Sequence, residues 1–173
     1  MKNEHSYKIQ SKSNTDEYFT PESAILPILP YIQKDKIVWC PFDEDWSNYV
    51  KLLKLNGNQV IYSHISEGKD FFSYEPSHWD LILSNPPFSR RDEIFERLVL
   101  LNKPFAVIMN STEIFGSKKR FTLFKGIDVQ IFVLKDRIQY FTSKEMKNET
   151  RERPMFQSWY VCRDLLPKQI VFE

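Results

Sequence analysis

The tetrapeptide Asn85-Pro86-Pro87-Phe88 carries the residue types from which a socket for a planar, nitrogen-bearing group can be built. The Asn amide oxygen and the Pro86 carbonyl can accept hydrogen bonds from an exocyclic amine. The Phe ring can stack on the ring that bears that amine. Neither proline has an N–H to donate and each fixes its own φ, so this is a stiff turn rather than a pliable loop. Upstream, Trp79 and Leu81-Ile82-Leu83 form an apolar run of strand length that the prolines stop. Downstream, Asp92 and Glu93 precede apolar positions at Ile94, Phe95, Leu98 and Leu101, which predicts a helix with acids in its first turn. Without a function, the same pattern would be a proline-rich strand-to-helix turn with a core Phe.

The elements that must hold this turn follow from the remaining periodicities. Runs of strand character lie at Lys36 to Phe42, Gln59 to Ser63, Phe105 to Met109, Asp128 to Leu134 and Gln157 to Cys162. Thr20-Pro21-Glu22 reads as a helix start: a capping hydroxyl, a proline at the first helical position and an acid at the positive dipole end. Ala24, Ile25, Ile28 and Leu29 extend its apolar face to about Tyr31. A second helix is expected from near Asp45, with Trp46, Tyr49, Val50 and Leu53 at helical spacing and a stop at Asn56-Gly57. The alternation predicts an α/β domain with a mainly parallel sheet and helices on both faces. Ligands in such sheets bind beyond the carboxyl ends of the strands. Pro41-Phe42, His64, Asp70 and Asn85 to Phe88 all fall just past expected strand ends.

The 173 residues are read as a single domain, 1–173, with a flexible lead-in over 1–14. An apolar fraction of 42% supports a packed core. A net charge of +1 argues against a wholesale cationic coat and leaves room for local basic patches. Cys40 and Cys162 show no metal or redox spacing, nor do His5, His64 and His78, so buried thiols and no metal are expected. No apolar leader and no bilayer-length stretch is present, so a cytoplasmic, reducing setting without membrane contact is expected. Residues 142 to 154 are polar and charged and read as a mobile loop.

Asn85-Pro86-Pro87-Phe88 resembles the catalytic motif of the S-adenosylmethionine-dependent amino methyltransferases. That group includes DNA adenine-N6 methyltransferases and relatives that modify RNA adenine or a protein glutamine. Tyr18-Phe19-Thr20-Pro21 resembles the segment with which one subgroup opens its cofactor pocket, which makes Tyr18, Phe19 and Thr20 cofactor candidates. Cys40-Pro41-Phe42-Asp43-Glu44-Asp45 stands where the family carries Asp-Pro-Phe-x-Gly-x-Gly. Pro41 and Phe42 match and the glycines do not; a carboxylate on Asp43 or Asp45 is available instead for the cofactor's ammonium group. Where related folds place an acid for the ribose hydroxyls, this chain offers His64. Gly68-Lys69-Asp70-Phe71 resembles the segment whose Asp accepts from the cofactor adenine, which points to Asp70 and Phe71.

The resemblance implies a Rossmann-like methyltransferase fold whose sheet ends in an antiparallel hairpin, supplied by the last two expected strands. It implies methyl transfer from S-adenosylmethionine to an exocyclic amine, adenine N6 in DNA before RNA adenine or protein glutamine. Asn85 would border both cofactor and substrate, and Phe88 would stack on a flipped base. The alternative of another class is a protein of this fold that binds without chemistry. Asp70 and Asn85 are too close to host an inserted recognition domain, and none is expected after the last strand. Nucleic-acid contacts are therefore expected from Arg90, Arg91, Lys118, Lys119 and Arg120 and from the 142-to-154 loop, with a separate recognition protein as the other source of specificity.

Overall fold

Alternation within the central strands decides the architecture. In β1 (Ile37–Cys40), Val38 and Cys40 join one buried cluster and Trp39 joins another; in β3 (Leu81–Ser84), Leu81 and Leu83 go with the first and Ile82 with the second. Both faces of the sheet are thus apolar and both must be covered. α1 (Glu22–Ile25) and α2 (Asn48–Asn56) cover one, through Ala24, Ile25, Val50 and Leu53. α3 (Arg91–Leu101) and α4 (Lys118–Lys125) cover the other, through Ile94, Phe95, Leu98 and Phe124. This computed structural model describes residues 18–141 and 154–173. The expected lead-in at 1–14 and, apart from Pro154, the loop expected at 142–154 lie outside the described residues.

The remaining strands are β2 (Gln59–Tyr62), β4 (Phe105–Asn110), β5 (Val129–Val133), β6 (Ser158–Arg163) and β7 (Ile170–Phe172). Their order across the sheet is β2-β1-β3-β4-β6-β5-β7. β1 pairs in parallel with both β2 and β3, and β3 with β4. β6 then enters antiparallel between β4 and β5, and β7 runs parallel to β5. The fold is the expected mainly parallel α/β sheet with helices on both faces and an antiparallel β5–β6 hairpin. The chain leaves β1 for β2 on one side and returns to β3 on the other. That reversal opens a crevice beyond Cys40 and Ser84, where ligands bind in sheets of this kind.

Several local expectations are corrected. The first helix ends at Ile25 rather than near Tyr31, because Pro27 and Pro30 cannot donate to a helical ladder; a short 3-10 turn at Leu29–Tyr31 follows. Thr20 does not cap it: Pro21 occupies the N-cap and no side chain bonds the first turn. α2 begins at Asn48, capped by Ser47, whose hydroxyl accepts from the Tyr49 N–H. Its end at Gly57 is as expected, with φ 97° in the left-handed region. β7 was not expected. Cys40 and Cys162 are free and buried. Among the described residues no helix is long and apolar enough to cross a membrane, and no acid, His or Cys cluster could hold a metal.

Candidate functional site

A cleft of about 490 Å³ lies beyond the carboxyl ends of β1 and β3, a volume suited to a cofactor-sized ligand. The structure brings around it Tyr18, Phe19 and Thr20 from the N-terminal segment, Pro41, Phe42 and Asp43 after β1, and His64, Asp70 and Phe71 after β2. Asn85, Pro86, Pro87 and Phe88, which follow β3, close it on the fourth side.

Asn85 is the polar centre of the tetrapeptide. Its side-chain amide donates through Nδ2 to the Tyr18 carbonyl at 2.8 Å. Its Oδ1 is buried and has no partner among the described residues. A buried acceptor without a donor costs free energy on the order of 1–3 kcal/mol, and this oxygen is open to an N–H. Phe88 is half-buried. Its ring meets Tyr18 at 5.6 Å, Tyr140 at 6.5 Å and Phe156 at 6.0 Å, and the Arg91 guanidinium lies 5.1 Å from its centre.

The turn after β1 contains no glycine and is held by its own acids. Asp43 accepts from the Ser47 and Ser84 hydroxyls, each at 2.5 Å. Glu44 accepts from the Trp46 indole N–H at 2.9 Å and lies 3.6 Å from His64. Asp43 keeps some surface on the cleft, yet protein crowds its carboxylate. Burial pushes its pKa up to about 6, against the two serine hydrogen bonds and the nearby His64, which pull the other way. Asp45 is exposed and does not line the cleft, so Asp43 is the carboxylate offered to a cationic ligand group. Asp70 holds the next turn by accepting from the Phe72 N–H at 3.0 Å. Phe71 is buried against Phe42 and Trp39, so only part of its ring is presented. His64 caps the turn at Ile65–Glu67.

The expected nucleic-acid residues separate. Arg90 reaches the rim of the cleft, with its guanidinium 3.8 Å over the Phe72 ring and paired to Glu93. Arg91 pairs with Glu113 and does not line the cleft. Arg120 is 7% exposed; it pairs with Asp92 of α3 and donates to the carbonyls of Glu113 and Ile114. Its charge is spent on docking α4 to α3. Lys119 pairs with Glu96 at 2.8 Å, and Lys118 is exposed. Trp46, Phe72 and Ser84 were not singled out from the sequence, and all three shape the site: Trp46 and Phe72 line the cleft, and Ser84 fixes Asp43. Trp46 falls at helical spacing with Tyr49 and Leu53, which concealed that it precedes the helix.

No family model and no curated protein matches the chain. Among solved structures, the methyltransferase subunit of a type I restriction-modification system from Streptococcus thermophilus is similar, with a TM-score of 0.50 and 12% identity over 95% of this chain. The chain spans about half of that structure, 49% of its length. A precorrin-6y C5,15-methyltransferase from Geobacter metallireducens aligns with a TM-score of 0.43 and 12% identity over 87% of this chain and 95% of that one. The strand order and the first of these likenesses define a Rossmann-like fold of the methyltransferase type.

Proposed function

We propose that this chain is an S-adenosylmethionine-dependent methyltransferase acting on an exocyclic amine, with adenine N6 in DNA as the substrate. The observation that carries this is the unpartnered Asn85 oxygen, fixed on a double-proline turn at the edge of a cofactor-sized cleft. The lining fits the cofactor's two distinctive ends: Asp43 suits an ammonium group and Asp70 an amine on a ring. The restriction-modification subunit that shares the fold supports DNA as the polymer.

When bound, S-adenosylmethionine supplies a sulfonium methyl group that a nitrogen lone pair can attack. The chain's part is placement. The Asn85 oxygen and the Pro86 carbonyl accept the two amine hydrogens, which draws the lone pair out of conjugation and aims it. Phe88 offers a ring face to the base, which must leave its duplex to enter. Rate enhancement comes from orientation and preorganised acceptors, so no side chain need remove a proton before attack. The surplus proton leaves to solvent afterwards.

The test is calorimetric titration with S-adenosylmethionine, followed by labelled-methyl transfer into unmethylated DNA, RNA and protein pools. Label in adenine N6 of DNA is expected. Label confined to RNA or protein would move the substrate, and neither heat nor transfer at millimolar cofactor would favour binding without chemistry.

A further inference from the structure

An asparagine amide can present either its oxygen or its NH2 to a ligand, and the two ends are nearly isosteric. At Asn85 the choice is made by one contact. Nδ2 lies 2.8 Å from the Tyr18 carbonyl oxygen. Turning the amide over would set two oxygens at that distance with no proton between them. The carbonyl itself is well anchored. Phe19 and Phe141 exchange two backbone hydrogen bonds, at 2.8 and 3.0 Å, and Asn48 Nδ2 donates to the Thr20 carbonyl at 3.0 Å. The Tyr18 ring packs on Phe88 and Tyr140, and the Phe19 ring on Trp46 at 4.7 Å.

We propose that the Tyr18 carbonyl is the positioning group of the site: it holds the Asn85 amide with its oxygen free, commits the socket to hydrogen-bond donors, and favours Asn over an ionised Asp at position 85. This rests on the methyl-transfer reading. An ionised Asp offers only acceptors and would face the carbonyl with like charge. To keep the contact it must hold a proton, donating from one oxygen and accepting on the other. Because residues 18 to 20 also wall the cleft, the segment that borders the cofactor also sets the polarity of the substrate socket.

The experiment is Asn85→Asp, alone and combined with Phe19→Pro, which removes the N–H of one of the two hydrogen bonds that tie the segment to Phe141. In carbon NMR, the introduced carboxyl is expected to titrate above the ordinary Asp value of about 3.9. Adding Phe19→Pro is expected to move it back toward that value. With saturating S-adenosylmethionine and unmethylated duplex DNA, kcat of Asn85→Asp near neutral pH is expected to fall about tenfold, the upper end of the scale for one lost neutral hydrogen bond. It recovers as pH falls toward the carboxyl's titration point, a rise that the wild type lacks. A carboxyl titrating in the ordinary range overturns the proposal, as does one that ignores Phe19→Pro or an Asn85→Asp enzyme as fast as wild type at neutral pH. Titration needs no activity. A wild type that transfers nothing would sink the methyl-transfer reading, while the titration still judges the positioning claim.

Discussion

Asp43 offers a test in which stability and binding move in opposite directions. Its pKa is pushed from 3.8 up to about 6, with burial as the largest cause. A displacement of that size makes ionisation cost on the order of 3 kcal/mol of folding stability. The sign follows from proton counts. Between the two values the folded chain holds the proton more tightly than the unfolded one, so this group's contribution falls as pH rises through that window. Above about pH 6 the cost is fully present; well below 3.8 it vanishes. Asp43→Asn removes the charge and keeps an acceptor for one of the two serine hydroxyls, while the other can rotate to accept from the new NH2. Allowing for about 1 kcal/mol from the weakened serine contacts leaves a net gain near 2 kcal/mol. That is roughly 4–8 °C in Tm for a chain of this size. The gain should appear in thermal unfolding near neutral pH and disappear near pH 4. Binding should go the other way. If the carboxylate meets an ammonium group, S-adenosylmethionine affinity in the wild type should strengthen as pH rises through about 6. The variant should lose a charge-assisted contact, about 1.5–3 kcal/mol or roughly ten- to a hundredfold in Kd. An Asp43→Asn protein that is no more stable than wild type and binds the cofactor equally well would refute both steps.

Asn85→Ala should cost about 1 kcal/mol or less, since it loses the hydrogen bond to the Tyr18 carbonyl, and should weaken cofactor binding only slightly; methyl transfer, followed with labelled cofactor, should fall about a hundredfold or more. Phe88→Ala should weaken DNA binding by about 1–3 kcal/mol if the ring stacks on a base, measured by fluorescence titration, and Phe88→Trp should retain part of it. Arg120→Ala should lower stability by about 1–3 kcal/mol in urea unfolding, because it removes the ion pair to Asp92 and the donor to two backbone carbonyls of the α4 entry. Lys118→Ala should leave stability alone and, if this lysine meets a phosphate, reduce the salt slope of DNA binding by about one.

What could be read from the sequence depended on whether the physics was local. The β3–turn–α3 unit was legible because an apolar run, two prolines and two acids act on neighbours. The sheet class was legible because strands and helices alternate along the chain. Arg120 was not: beside two lysines it looks like part of a basic patch, and its partner Asp92 is 28 residues away. One signal was available, since Arg120 and the buried Phe124 are one helical turn apart on the same face. The turn after β1 is the instructive failure of a motif. Glycines are needed where the backbone takes a positive φ or where a ligand must touch it. Among the described residues, the only non-glycine positions with positive φ are Asn102 and Asp164, so the segment from Pro41 to Trp46 does not use that conformation. Its shape comes from side chains instead: Asp43 to Ser47 and Ser84, and Glu44 to Trp46. The missing glycines therefore mark a turn that side chains shape. On the methyl-transfer reading the ligand meets carboxylate rather than bare backbone there, and its affinity is tied to the ionisation of Asp43 in a way that a glycine turn would not impose.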